Sequence, residues 1–211
     1  MLVSNSIDTG LAAAVGAFGL SASALLLATV VQVWHGYTLG QSVKTRFPHK
    51  VRNGSSWTRA LGICSAIGCW GLGCFNQKAS QNAHDAFAAS FFLFGVAYIL
   101  GSSYIDILLG TSRGVLILRW LLAVIAACST VVFLALEVTA TSEDSPFRRN
   151  LSVTLQLSIL FLMLLHLATR WPDLWRARVE MMLSVVDLEA SPTPTSHLPS
   201  EPSDTLQLLT D

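Results

Sequence analysis

The sequence predicts an all-α fold: a polytopic membrane bundle of about five transmembrane helices, followed by an amphipathic surface helix and a disordered tail. Of the 211 residues, 52% are hydrophobic and 12% are charged, whereas charged residues make up about a quarter of an average soluble domain. Residues 86–105 contain no charged residue, and about 20 apolar residues are what a helix needs to cross a bilayer. The chain is therefore expected to be integral to a membrane.

Five apolar segments are predicted to be the membrane helices. They cover residues 11–34, 57–75, 84–108, 116–138 and 151–171. The first is not expected to be a cleaved signal, because residues 1–10 lack the Lys or Arg of a secretory signal and its apolar run is too long. Five spans would leave the two termini on opposite sides of the membrane.

The positions of Lys and Arg predict the orientation, since basic residues are retained on the cytoplasmic side during insertion. If the loop after the first helix is cytoplasmic, only Lys78, Arg148 and Arg149 of the 13 Lys and Arg residues fall on the opposite side. Residues 1–10 are therefore predicted to be lumenal or extracellular, and the C-terminus is predicted to be cytosolic.

The second helix is expected to lie among the others. Its small residues recur at a spacing of four, in the series Ala60, Cys64, Gly68 and Ser65, Cys69, Gly73. Small residues at that spacing let helix backbones approach closely inside a membrane, where the hydrophobic effect does not drive association.

The segment after the last span changes character twice. Residues 172–188 predict an amphipathic interfacial helix, with Trp175 and Val179 on one face and Arg176 and Glu180 on the other. Residues 189–211 contain Pro192, Pro194, Pro199 and Pro202 and no Lys or Arg. Such a segment cannot bury enough apolar surface to fold alone, so it is predicted to be a disordered cytosolic tail.

The tail carries a sorting signal by pattern. Asp204, Leu208 and Leu209 have the spacing of an acidic dileucine motif, which clathrin adaptors bind as an extended peptide. A receptor-read address of this kind requires an exposed cytosolic chain. The motif predicts endosomal or lysosomal residence.

Ionisable residues in or near the spans are the candidate intramembrane sites. Asp106, Glu137 and His166 are the residues that a small channel or transporter would use. The interpretation given more weight is that Asp106 and Glu137, like Asp85, Arg119 and Arg170, occupy polar helix ends, because each lies within about two turns of a predicted end. Asn82 and Asp85 have the spacing of a capping box, and His84 is a hypothetical partner of Glu137.

The sequence shows no catalytic or cofactor-binding pattern. Cys64, Cys69 and Cys74 recur every five residues and turn by about 140° each on a helix, so they do not share a face as metal ligands would. Serine-hydrolase elbows, HExxH motifs and phosphate loops do not occur. No enzyme activity, cofactor or metal is expected.

Several short motifs resemble the damage-regulated autophagy modulator (DRAM) family, within the Frag/DRAM/Sfk group of membrane proteins. They are the stretch from Ser6 to Gly10, the stretch from Cys74 to Lys78, the residues His84, Gly95 and Tyr98, and the stretch from Arg176 to Glu180. The family-like polar motif comprises Asp8, Thr9, Gly10, Asn76, Gln77 and His84. The family's first helix has no counterpart here, and Phe87 and the pair Gln156-Leu157 depart from its pattern.

The resemblance implies a non-catalytic protein of endolysosomal membranes that promotes autophagy. Its expected partners are membrane lipids, other membrane proteins and, through the tail, a clathrin adaptor, with no nucleic acid. Two alternatives are a plasma-membrane or Golgi lipid regulator, connected with phosphoinositides or GPI anchors, and a small channel or transporter.

Overall fold

Five long helices make up the computed structural model, which describes residues 10–75, 80–139 and 146–175. They are α1 (Gly10–Ser42), α2 (Pro48–Cys74), α3 (Gln81–Leu109), α4 (Arg113–Val138) and α5 (Pro146–Ala168). A turn at 169–170 and a further helical stretch at 171–175 follow α5. No strand occurs in these three ranges, which confirms the all-α prediction.

Four stretches are long and apolar enough to cross a bilayer: Ala14–Ser42, Gln81–Leu109, Arg113–Val138 and Pro146–Trp175. The chain is therefore a multi-pass helical membrane protein. Helix α2 is not among these four stretches, and it is the least apolar of the five helices. Its predicted crossing of the membrane at 57–75 stays a prediction.

The helices pack mainly as neighbours in the chain. Helix α2 lies between α1 and α3, and α4 lies between α3 and α5, which also contacts α3. Helix α1 has α2 as its main neighbour and leaves large side chains such as Phe18, Leu25 and Leu26 exposed. All five helices contribute to the bundle core, with α3 contributing the largest number of its buried residues. Within it, Phe92 meets Phe133 edge to face at 5.4 Å between ring centroids.

Close contact of α2 with both neighbours depends on its glycines. A Cβ atom placed on Gly68 would lie 2.6 Å from the backbone nitrogen of Phe91 in α3. One placed on Gly73 would lie 3.0 Å from the carbonyl oxygen of Ala17 in α1. The small residues at a spacing of four therefore serve the central packing that the sequence predicts.

The two ends of α3 differ in how they are formed. Asn82 and Asp85 both lie inside the helix, whose N-cap is Ser80, and no side chain caps it there; the predicted capping box is wrong. At the other end, Gly110 adopts a left-handed conformation with φ of 72°. Its N–H caps the carbonyls of Asp106 and Ile107, so the helix ends one turn beyond Asp106.

Candidate functional site

Three charged side chains meet inside the bundle at its predicted cytoplasmic end. Asp106 comes from the last turn of α3, Arg119 from the second turn of α4, and Arg170 from the turn that follows α5. All three are fully buried. Together with Asp173, which follows Arg170 by one helical turn, they are called the charged cluster below.

Asp106 and Arg170 form a two-point ion pair. Nη1 of Arg170 donates to Oδ1 of Asp106 at 3.2 Å, and Nη2 donates to Oδ2 at 3.0 Å. Paired parallel hydrogen bonds between a guanidinium and a carboxylate are stronger and more directional than single ones. This pair joins the end of α5 to the end of α3.

Arg119 contacts both carboxylates of the charged cluster. Its Nη1 lies 3.2 Å from Oδ2 of Asp106 as an ion-pair contact without hydrogen-bond alignment. Its Nη2 donates to Oδ2 of Asp173 at 2.5 Å and to the carbonyl oxygen of Thr169 at 2.7 Å. Its Nε donates to the Thr169 hydroxyl at 3.1 Å. Arg119 thereby fixes α4 to α3 and to the segment after α5.

Trp34 brings α1 to the same place. The guanidinium carbon of Arg170 lies 3.9 Å from the centroid of the Trp34 ring, and Trp34 is buried. A guanidinium over an indole face is attracted by the ring's electron density, and the attraction strengthens when both groups are removed from water. Four helices, α1, α3, α4 and α5, are thus joined around Arg170.

A second layer of buried polar groups lies beside the charged cluster. The Ser103 hydroxyl and Nε2 of His166 are 3.0 Å apart and both residues are buried. Within the described part of the chain, Nδ1 of His166, the Tyr98 hydroxyl and Nε1 of Trp34 have no hydrogen-bond partner. Polar groups of α1, α3 and α5 therefore lie in the interior beside the charged cluster.

Helices α1 and α2 are joined at the same end by hydroxyl and imidazole groups. The Ser55 hydroxyl lies 2.7 Å from Nδ1 of His35 and 2.5 Å from the Thr38 hydroxyl. Thr38 also donates to the carbonyl oxygen of His35 at 2.8 Å. All five helices are therefore tied together at one end of the bundle by polar contacts.

The charged cluster is electrically balanced and closed. Two guanidinium groups face two carboxylates, and both oxygens of Asp106 accept a hydrogen bond. Burying one ion pair in a low-dielectric interior costs several kcal/mol per ion before the pairing energy is counted. The arrangement therefore holds the helix ends in a fixed relation.

The candidate intramembrane residues do not come together as one set. Asp106 and His166 both belong to the buried polar region, whereas Glu137 is exposed at the opposite end, where the Ser152 hydroxyl donates to its Oε1 at 2.5 Å. His84 lies near that opposite end with Nδ1 2.8 Å from the carbonyl oxygen of Phe75. The hypothetical pair of His84 and Glu137 is replaced by these separate contacts.

Much of the predicted motif set falls outside the described residues. This applies to Asp8, Thr9, Asn76 and Gln77 of the family-like motif, to Asp204, Leu208 and Leu209 of the sorting motif, and to residues 176–211 generally. Gly10 is the first residue of α1. The described ranges contain no group of three His, Cys, Asp or Glu side chains placed to hold a metal ion.

Sequence reasoning missed the charged cluster because each member was judged by its own distance from a helix end. Asp106, Arg119 and Arg170 are fully buried, so the interpretation that each reaches the headgroups is wrong. A usable signal was present: residues of opposite charge stand at similar depth on three helices, all on the side predicted to be cytoplasmic.

A family model described as the Frag1/DRAM/Sfk1/Cwh43P N-terminal domain matches residues 2–177. The match covers all the described helices and every residue of the charged cluster. No curated protein matches the chain, and no solved structure does.

Proposed function

Because the chain belongs to the Frag1/DRAM/Sfk1/Cwh43P N-terminal domain family, we propose that it is a non-catalytic modulator of autophagy in endolysosomal membranes. Within that family, the motifs around His84 and around the Arg176–Glu180 stretch favour a DRAM-like role. The protein would act by holding lipids or partner membrane proteins in the bilayer while its cytosolic segment meets soluble factors.

The observation that carries the non-catalytic part of the proposal is the closure of the charged cluster. Asp106 has both oxygens engaged by Arg170 and a further contact with Arg119. A carboxylate that serves as a catalytic acid or base must lie within hydrogen-bond distance of the proton that it transfers. In Asp106, the two arginines take up the positions that a substrate would need. Such a site supports a scaffold that acts by binding other molecules at its outer surfaces.

Endolysosomal location rests on the tail. The acidic dileucine pattern of Asp204, Leu208 and Leu209 lies on the side predicted to be cytosolic, where clathrin adaptors could bind it. We test it with Leu208→Ala/Leu209→Ala in a tagged full-length chain, and with Leu206→Ala as the control that spares the leucine pair. The double variant should move to the cell surface while the control stays in lysosomes.

Unchanged lysosomal residence of the double variant would contradict the sorting argument. Steady surface residence of the unaltered protein would instead favour the plasma-membrane lipid regulator. Autophagic flux is measured in the same cells: removing the chain should lower flux, and returning the unaltered chain should restore it. Flux that does not respond to the chain contradicts the autophagy role even where lysosomal location holds.

A second candidate, a small transporter, is favoured by one observation: Asp106 and His166 lie in the same buried polar region. Ionisable groups in a membrane interior often mark ion or proton paths. The full chain reconstituted in vesicles under an ion or proton gradient tests this candidate. Flux that is lost in an Asp106→Asn variant shown by thermal unfolding to be folded, and kept in Asp85→Asn, would support it. No flux in the intact protein would end it.

A further inference from the structure

The connection between α1 and α2 concentrates positive charge at the predicted cytoplasmic end of the bundle. Residues 43–52, which include the first residues of α2, are called the basic turn below. Four basic side chains in it are exposed: Lys44, Arg46, Lys50 and Arg52. No Asp or Glu occurs anywhere between Asp8 and Asp85, so the basic turn has no acidic neighbour along the chain.

The folded chain does not supply acidic partners for most of this charge. Within the ranges that the structure describes, Arg46, Lys50 and Arg52 form no ion pair. The acidic residues of the same ranges are engaged in the charged cluster, as Asp106 and Asp173 are, or belong to helix ends on the other side of the bundle. An anion from outside these ranges is therefore needed to balance the basic turn.

An exposed aromatic ring lies among the cations. The guanidinium carbon of Arg46 is 5.6 Å from the centroid of the Phe47 ring, and Nζ of Lys50 is 5.1 Å from it. Phe47 is 43% exposed and Val43 is 81% exposed. Retention of basic residues during insertion accounts for the charges but not for apolar side chains exposed between them. Cations together with exposed apolar side chains are typical of surfaces that lie on a membrane interface.

The backbone of the basic turn is fixed by local hydrogen bonds. The Lys44 N–H donates to the carbonyl oxygen of Gln41 at 3.0 Å, and the Thr45 N–H donates to that of Ser42 at 3.1 Å. The Thr45 hydroxyl donates to the same Ser42 oxygen at 2.8 Å. A surface whose backbone is already ordered loses less conformational freedom when it binds a ligand.

The length of α1 places the basic turn among lipid headgroups. The candidate span Ala14–Ser42 has 29 residues, which extend about 43 Å at the rise of an α-helix. A bilayer with its headgroup layers is about 40–45 Å thick. The basic turn begins at the residue after this span, so its cations lie at the level of the lipid phosphates.

We propose that the basic turn binds an anionic phospholipid, with the headgroup at Arg46, Lys50 and Arg52 and the Phe47 ring against the upper part of the acyl chains. Guanidinium groups bind phosphate oxygens in pairs, and an ammonium group adds a point charge. A zwitterionic headgroup brings its own cation and gains less. An acidic peptide could balance the cations but would not use the apolar contacts of Val43 and Phe47. The proposal rests on the lipid-holding part of the proposed function and names the lipid class.

Native mass spectrometry of the purified full-length chain tests this proposal. The chain in neutral detergent is given equal amounts of phosphatidylserine and phosphatidylcholine with identical acyl chains, and the retained lipids are counted. Phosphatidylserine should be preferred, and the preference should weaken as ammonium acetate is raised, because salt screens exposed charges. The double variant Arg46→Gln/Lys50→Gln should reduce the preference about 25-fold, since each basic residue near an anionic surface contributes about fivefold.

Two control variants separate the basic turn from charge in general. Arg46→Lys/Lys50→Arg keeps both charges and should keep the preference. Arg113→Gln removes one exposed cation at the start of α4, at the same end of the bundle, and should change the preference less than Arg46→Gln does. The replaced side chains are exposed, so all variants should unfold at the temperature of the unaltered chain. Lys50→Gln alone replaces a double variant that fails to fold.

Three results would overturn the proposal. Equal retention of the two lipids by the unaltered chain would leave the basic residues with a role in insertion alone. Equal effects of Arg113→Gln and Arg46→Gln would indicate a general charge effect. Residues 179–211 contain acidic residues and no Lys or Arg, so a zero-length cross-link from Lys50 to them that excess phosphatidylserine does not reduce would make the tail the occupant. Lipid preference is measured on the purified chain, so its failure would leave the sorting and flux experiments unaffected.

Discussion

Removing the Asp106 carboxylate should destabilise the protein more than any other single change in the charged cluster. In Asp106→Ala, Arg119 keeps its bond to Asp173, whereas Arg170 keeps only the face of Trp34. The cost is therefore that of one buried guanidinium without a counter-ion. Breaking a buried ion pair in this way costs about 3–5 kcal/mol.

The geometry also predicts an order among the three positions. Arg119→Met leaves Asp106 in its two-point pair with Arg170 and releases Asp173, whose side chain is 21% exposed and can be hydrated. Arg170→Met leaves Asp106 only the unaligned contact with Arg119 at 3.2 Å. The loss of stability should therefore be greatest for Asp106→Ala, intermediate for Arg170→Met and smallest for Arg119→Met.

Thermal unfolding of the detergent-solubilised chain measures this order. A loss of 3–5 kcal/mol in a chain of this size corresponds to a fall in Tm on the order of 10 °C. Asp85→Ala is the control, because it removes an exposed acid from the same helix and should change stability by less than about 0.5 kcal/mol. The reasoning fails if Asp106→Ala and Asp85→Ala unfold at the same temperature, or if Arg119→Met is the most damaging of the three.

Four further outcomes are expected. Gly68→Ala should lower Tm clearly, because its Cβ meets backbone at 2.6 Å, whereas Gly36→Ala, with nothing within 4 Å, should not; equal Tm values would refute the packing argument. Ser103→Ala should cost about 1 kcal/mol as one buried hydrogen bond is lost, and unchanged unfolding would contradict that contact. Trp34→Phe should keep most of the cation–π contact with Arg170 and Trp34→Ala should lose it, so Tm should fall further for alanine; the opposite ranking would exclude a role for the ring. Protease added to sealed organelles should remove a tag at the C-terminus and spare one at the N-terminus, and the reverse would overturn the predicted orientation.

The helices could be predicted from the sequence because hydrocarbon thickness imposes a length on apolar runs. Their bounds could not, because a helix continues past the hydrocarbon wherever its polar residues find partners. Helix α2 begins at Pro48, well before the apolar run at 57, and Ser55 in that additional part bonds to His35 and Thr38. Apolarity marks where a chain meets lipid, and only tertiary contacts determine where its helices end.

The charged cluster could not be predicted from the sequence, for a different reason. Each of Asp106, Arg119 and Arg170 is close enough to a helix end to reach water, and their burial depends on three helices ending together. Trp34 adds a fourth helix to the cluster. No pattern in the sequence around Trp34 indicates that its ring packs against a guanidinium. A single sequence predicts the depth of each charge but not which helices are neighbours.

Whether the charges serve the fold alone or a further role can be decided by replacing all three at once. Well-packed apolar side chains in place of a buried ion cluster are often neutral or stabilising by about 1–4 kcal/mol. The triple variant Asp106→Leu, Arg119→Met and Arg170→Met should therefore unfold at a higher temperature than Asp106→Ala. If the charged cluster only fixes helix ends, this variant should also restore autophagic flux in cells that lack the chain. A variant that is stable and correctly located but does not restore flux would show that the charges themselves are needed. The proposal that the charged cluster serves only as a scaffold would then be wrong.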